Sequence, residues 1–205
     1  MISNMNAQSE EEMTMPNTVK DAGTLKVTTP SDREIVMTRV FDAPRRLVFD
    51  AWTNPKHVPR WMLGPEGWTM PVCEIDLRPG GAWHFVWRRS NGTEMEMRGV
   101  YREIAPPERL VSTESWGGNW PETLNTLLLS EENGKTTVSQ TILYPSKEAR
   151  DAALKTGMTD GVVQSFDRLD ECLRTWREDR EKADATTLML ICHRHVTGSS
   201  RSRRL

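Results

Sequence analysis

Few side chains in this sequence have the types and spacing that chemistry requires. Glu74 and Asp76, in "CEIDLRPGG", stand two apart and so share one face of a strand. Such a pair can divide acid and base work, but pairing with Arg78 or a turn amide is the simpler reading. Glu114, in "STESW", has neighbours that suggest a half-buried strand, with Trp116 close by. Burial would raise its pKa and let it meet a polar group on a bound molecule. His57 and His84 have no serine or cysteine poised beside them in sequence. "CHRH" at Cys192–His195 offers three ligand types, but no second cluster completes a closed metal site. No glycine-rich turn joins a strand to a helix at the spacing that nucleotides need. The expectation is therefore no catalytic constellation, no metal and no cofactor.

The strongest pattern is apolar. In "GGAWHFVWRRSNGTEMEMRGVY", Trp83, Phe85 and Trp87 alternate with polar or small neighbours, and Met95 and Met97 do the same after the turn. Two registers compete. A two-residue Asn91-Gly92 loop would set Trp87 against Glu96. A three-residue loop, Ser90-Asn91-Gly92 with Gly92 left-handed, sets Trp87 against Met95, Phe85 against Met97, and Arg88 against Glu94. A slip by one residue flips every side chain of a strand, and only the second register sorts apolar from charged. It is the one expected. The band is either ordinary core or the wall of a pocket suited to adaptable apolar recognition.

These residues must be positioned by surrounding elements. "TLKVTT" and "REIVMTRVF" read as opening strands. "DAPRRLVFDAW" reads as a helix with Asp42 as cap, Pro44 in the first turn, and Leu47, Val48, Ala51 and Trp52 on one face. "TNPKHVPRWM" starts a second, with Asn54 as cap and Pro55 first. From Trp68 to Tyr144, six strands alternate with short breakers, the mark of an antiparallel meander. A short helix opened by Ser146 follows. Last comes the longest periodic segment, where Met158, Val162, Phe166, Leu169, Leu173 and Trp176 recur at steps of three and four. Residues 158–176 as a helix span about 28 Å, close to the width of six or seven strands, about 30 Å. A curved antiparallel sheet of six to seven strands wrapped around one long C-terminal helix is therefore the expected α+β architecture. A straight helix cannot touch a strongly bent sheet everywhere, so the gap is either plugged or hollow.

The domain is expected over 23–180, with a flexible tail over 1–22 and a separate tail over 181–205. A net charge of −2 gives no global basic field for nucleic acid. The N-terminus lacks the basic and apolar segments of a secretory leader, and no apolar run suffices to span a bilayer. Three cysteines far apart suit a reducing cytoplasm better than a disulfide framework.

Several segments, among them "DREIVMTRVFDAPRRLVFDAWTNP", "GPEGWTMPVCEIDLRPGGAWHFVWR" and "NGTEMEMRGVYREIAPPERLVSTE", closely resemble bacterial homologues of the activator of the 90-kDa heat-shock chaperone ATPase. These belong to the START-like superfamily. The resemblance runs from about Leu25 to Trp176 and implies a helix-grip fold: strand, two helices, six strands and a C-terminal helix over an apolar cavity. Many relatives carry Trp after the helix glycine, where this chain has Val162. The reading that follows is non-catalytic binding of a small hydrophobic or aromatic molecule. Trp83, Phe85, Trp87, Met95, Met97, Glu114 and Trp116 would line the wall, with Phe166 and Leu169 on the lid. Two alternatives stand beside it: a co-chaperone-like interaction with a heat-shock ATPase, and a cyclase- or hydrolase-like enzyme needing two polar groups converging in the cavity.

Overall fold

The computed structural model describes residues 17–22 and 25–198, with side chains described over 25–180 and at 182 and 183. The described residues form nine strands: β1 (Asn17–Ala22), β2 (Leu25–Thr29), β3 (Glu34–Phe41), β4 (Trp68–Ile75), β5 (Ala82–Arg89), β6 (Glu94–Ala105), β7 (Arg109–Glu114), β8 (Thr123–Glu132) and β9 (Lys135–Leu143). They form one antiparallel sheet in the order β1-β2-β3-β9-β8-β7-β6-β5-β4. Irregularities in pairing between Thr69 and Val72, beside Pro71, and between Tyr101 and Glu103 bend the strands locally. Helices α1 (Arg45–Thr53) and α2 (Val58–Trp61) connect β3 to β4, and α3 (Lys147–Lys155) precedes α4 (Met158–Gly198).

This is the helix-grip architecture, with more strands than expected. The two short helices follow the third strand because β1 and β2 precede β3. Residues 17–22, read from sequence as flexible tail, pair with β2 from Asn17↔Thr29 to Ala22↔Leu25. Their polar sequence hides a strand whose stability comes from its neighbour's ladder rather than from apolar alternation. The tail expected from residue 181 is likewise continuous helix to Gly198. No proline or glycine interrupts the chain between Gly161 and Gly198, so nothing local stops the helix.

Two helix starts also differ from expectation. Helix α1 begins at Arg45, with extended Pro44 at its N-cap and no cap from its own side chain. The Arg45 N–H instead donates to Glu131 Oε2 of β8 at 2.8 Å, a cap supplied from 86 residues away. Asn54 caps a turn, not a helix: its Oδ1 accepts from Lys56 N–H at 3.0 Å, and α2 starts only at Val58. Ser146 does cap α3, accepting from Ala149 N–H at 3.2 Å.

The β5–β6 register is the one expected, with Trp87↔Met95, Phe85↔Met97 and Arg88↔Glu94, and Gly92 at φ 84°. Arg88 Nε donates to Glu94 Oε1 at 2.7 Å on the outer face. On the inner face, a Cβ on Gly99 would lie 1.9 Å from the Thr113 carbonyl oxygen and 2.6 Å from the Trp83 ring. Trp83 reaches its place only because residue 99 has no side chain.

Helix α4 buries Phe166, Leu169 and Leu173 in the core, and Phe166 meets Phe41 of β3 at 5.7 Å between ring centroids. Its position is fixed by Arg39 of β3, only 4% exposed, whose guanidinium bonds Asp167 at 2.7 Å and lies 3.6 Å from Asp170. Arg39 also stands over the Phe41 ring at 5.2 Å. Replacing Arg39 with Ala removes both the buried stem and the clamp, and is expected to cost about 2–4 kcal/mol in urea unfolding. Asp167→Asn, at a half-exposed partner, should cost about 0.5–1 kcal/mol. Gly99→Ala should lose about 1–3 kcal/mol, because a carbonyl and an indole must both move.

Candidate functional site: the cavity between sheet and helix

A cavity of about 550 Å³ lies between the sheet's inner face, α4 and the α2–β4 connection. Its wall follows from strand alternation. On β5 and β6 the inward positions are Trp83, Phe85, Trp87, Met95, Met97 and Tyr101; on β7 they are Leu110, Ser112 and Glu114. On β8 they are Thr123, Asn125 and Leu127. Helix α4 contributes Met158, Val162 and Phe166. Trp52 of α1 and Trp61 of α2, ring centroids 4.6 Å apart, close one end with Phe166, which meets Trp52 edge-on at 5.8 Å. Trp116 and Trp120, in the β7–β8 connection, are 38% and 44% exposed and mark the side where the wall meets solvent.

Of the nine side chains named from sequence as ligand contacts, Trp83, Phe85, Trp87, Met95, Met97, Glu114, Trp116 and Phe166 face this space. Leu169 does not. It is wholly buried among core residues, one turn along α4 from Phe166. Sequence reading missed Asn125, Tyr144 and the Trp52–Trp61 end. Asn125 carries a visible signal: it is the polar residue in an inward series that continues as Leu127 and Leu129.

The wall has two chemistries. The β5–β6 side is aromatic and thioether, with Trp87 stacked on Trp116 at 5.6 Å and its Nε1–H donated to the Met62 carbonyl at 2.7 Å. The β7–β8 side is polar. Trp116 Nε1–H donates to Glu114 Oε1 at 2.6 Å, and Asn125 Nδ2–H donates to Glu114 Oε2 at 2.9 Å. Glu114 sits opposite Thr123, so Asn125 reaches it diagonally across the ladder. Burial pushes the Glu114 carboxyl up to about 7, against the two hydrogen bonds, which favour the charged form. Burial, and secondarily the Glu114 charge, push the Tyr144 phenol upward as well. Two buried polar atoms on cavity-lining side chains have no partner among the described residues: Trp83 Nε1 and Asn125 Oδ1.

The other candidates lie elsewhere. Asp76 pairs with Arg78 at 2.9 Å, the structural pairing expected. Glu74 lies 3.6 Å from His84, which also approaches Glu96 at 3.2 Å, outside the cavity. His57 lies 2.8 Å from Asp50 and stacks on Trp176 at 4.3 Å. No group of three or more metal-ligating side chains converges among the described residues, and the side chains of Cys192–His195 fall outside them. No helix among the described residues is long and apolar enough to cross a membrane.

The raised Glu114 pKa makes stability depend on pH. The native state holds this proton more tightly than the unfolded chain, whose carboxyl titrates near 4.5. Stability contributed by the protonated form is therefore lost as pH climbs from about 4.5 to about 7, and is level above. Glu114→Gln mimics the protonated carboxyl. It should match the wild type near pH 4 and exceed it by about 1–3 kcal/mol near pH 8 in urea unfolding.

Comparison with known proteins agrees with this architecture. The profile of the family described as "Activator of Hsp90 ATPase homolog 1-like protein" matches residues 42–174. A crystal structure of a Rhodobacter sphaeroides protein is similar at 28% identity and TM-score 0.69, covering 74% of this chain and 98% of that one. A Chromobacterium violaceum protein is similar at 27% identity and TM-score 0.59, covering 68% and 96%. An AHSA1-like protein of Aeromonas hydrophila, 18% identical with TM-score 0.58 over 68% and 93%, shares the fold. Among curated proteins the sequence finds no match. With its matched region running from the start of the α1 segment well into α4, over a cavity roofed by that helix, this chain belongs to the Activator of Hsp90 ATPase homolog 1-like family.

Proposed function

We infer that this protein binds a small, largely hydrophobic or aromatic molecule in the cavity between sheet and C-terminal helix. The observation that carries the reading is the space itself. About 550 Å³ lies under α4, lined by indoles, thioethers and two phenyl rings, in the size range of small-molecule sites. Side chains large enough to plug it surround it instead. Trp83, Phe85, Trp87, Met95 and Met97 form the apolar wall, Phe166 roofs it, and Trp116 stands at the rim. A reducing, cytoplasmic setting suits the free Cys73 and Cys172.

A second reading rests on Glu114. A cavity carboxyl that titrates near neutrality has the properties of a general acid or base toward whatever occupies the site. That is the enzyme alternative, and turnover of a bound molecule that stops in Glu114→Gln while binding persists would favour it. The family's description names activation of a heat-shock ATPase, and that co-chaperone role has the description alone behind it.

The test is direct. A fluorescent hydrophobic probe should quench tryptophan emission saturably, and native mass spectrometry of fresh protein should show a co-purified small molecule. Val162 lines the cavity from α4. Val162→Trp should fill part of the space and weaken the probe about ten-fold or more, with unfolding changed by less than about 2 kcal/mol. Flat titrations with wild-type protein, or unchanged affinity in the variant, would count against cavity binding.

A further inference from the structure

The cavity's polar end is one-sided. Glu114 is the only Asp, Glu, Lys, Arg or His among the residues that line it; Tyr101 and Tyr144 are the other titratable liners. The carboxylate has two neutral donors, Trp116 Nε1 and Asn125 Nδ2, and no cation. Beside it, Asn125 is only 7% exposed, and its Oδ1 is buried with no partner among the described residues. An acceptor left without a donor in a low-dielectric site is costly, and a carboxylate without a counter-charge more so. Next to both, the Trp87–Trp116 stack contributes aromatic surface at the point where the Trp116 indole meets Glu114.

Such a set has one chemical complement. An anionic acceptor without a counter-charge needs a group that is all donor and positively charged, and aromatic rings favour the same sign. An acid would place carboxylate against carboxylate, and a bare hydrocarbon would leave the carboxylate unmet. Resting on the cavity-binding reading above, we propose that the ligand is an organic cation: an ammonium group held by Glu114, on an aromatic or aliphatic body lying along Trp83, Phe85 and Met97.

The experiment is a matched series titrated into the full chain by isothermal calorimetry: 4-phenylbutylamine, 4-phenylbutanol, butylbenzene and 4-phenylbutyrate. Near pH 8, where Glu114 is ionised, the amine should bind at least about ten-fold tighter than butylbenzene, with the alcohol between and the acid weakest. Near pH 5.5 the amine's advantage should shrink about ten-fold while butylbenzene is unchanged. Glu114→Gln should reduce the amine to the level of the alcohol at both pH values. If butylbenzene binds as well as the amine, or the preference survives in Glu114→Gln and at low pH, the cation proposal is wrong and cavity binding stands. If no member of the series binds, both fall.

Discussion

A straight helix laid against a bent sheet can touch it over only part of its length, and the rest of this molecule is arranged around that constraint. Contact is made where Phe166 meets Phe41 and where Arg39 reaches Asp167 and Asp170. Toward the N-terminal end of α4, around Met158 and Val162, the two surfaces part and the cavity opens. The Arg39 clamp is placed to hold the helix at this distance: its guanidinium is buried against Phe41, while its partners on α4 remain half in water. The helix therefore cannot lift off the sheet at this point without breaking a charged pair. The hollow is a geometric remainder.

What fills the remainder is decided by side chains of two kinds. Strands β5 and β6 offer soft apolar surface that adapts to shape. Strands β7 and β8 offer a carboxyl and an amide that read chemistry. The division follows the order of the sheet: each hairpin contributes a pair of adjacent strands, so each wall takes the character of one hairpin. Glu114 is held at the seam by a donor from each side, Asn125 from the neighbouring strand and Trp116 from the connection that follows. Its burial is what raises its pKa.

Much of this was legible in the sequence wherever one element constrained another locally. The β5–β6 register could be fixed because only one loop length puts Trp87 with Met95 and Arg88 with Glu94, and a wrong register would bury charge. Glu114 was recognisable because its neighbours in "STESW" suggest a half-buried strand. The errors arose where distant residues decide the outcome. Helix α1 takes its cap from Glu131 of β8, which no spacing around Pro44 reveals. Strand β1 has no apolar alternation and exists because β2 offers a free edge. Leu169 shares a stripe with Phe166, but periodicity along a rod does not say where the opposing sheet turns away. Gly99 looked unremarkable in "RGVY", yet Trp83 stacks over it because a carbonyl and an indole occupy the space of its missing Cβ.

Among the described residues the sheet ends at β4, and that margin is disarmed by its own sequence. Pro71 lacks an N–H to offer, and the irregularity between Thr69 and Val72 breaks the repeat that an incoming strand would have to match. A foreign or sibling chain in extended form finds no continuous row of donors and acceptors there. The same kink that helps curl the floor beneath the helix thus serves as a guard against edge-to-edge aggregation, letting a protein with an incomplete barrel expose a rim to the cell without recruiting more strands.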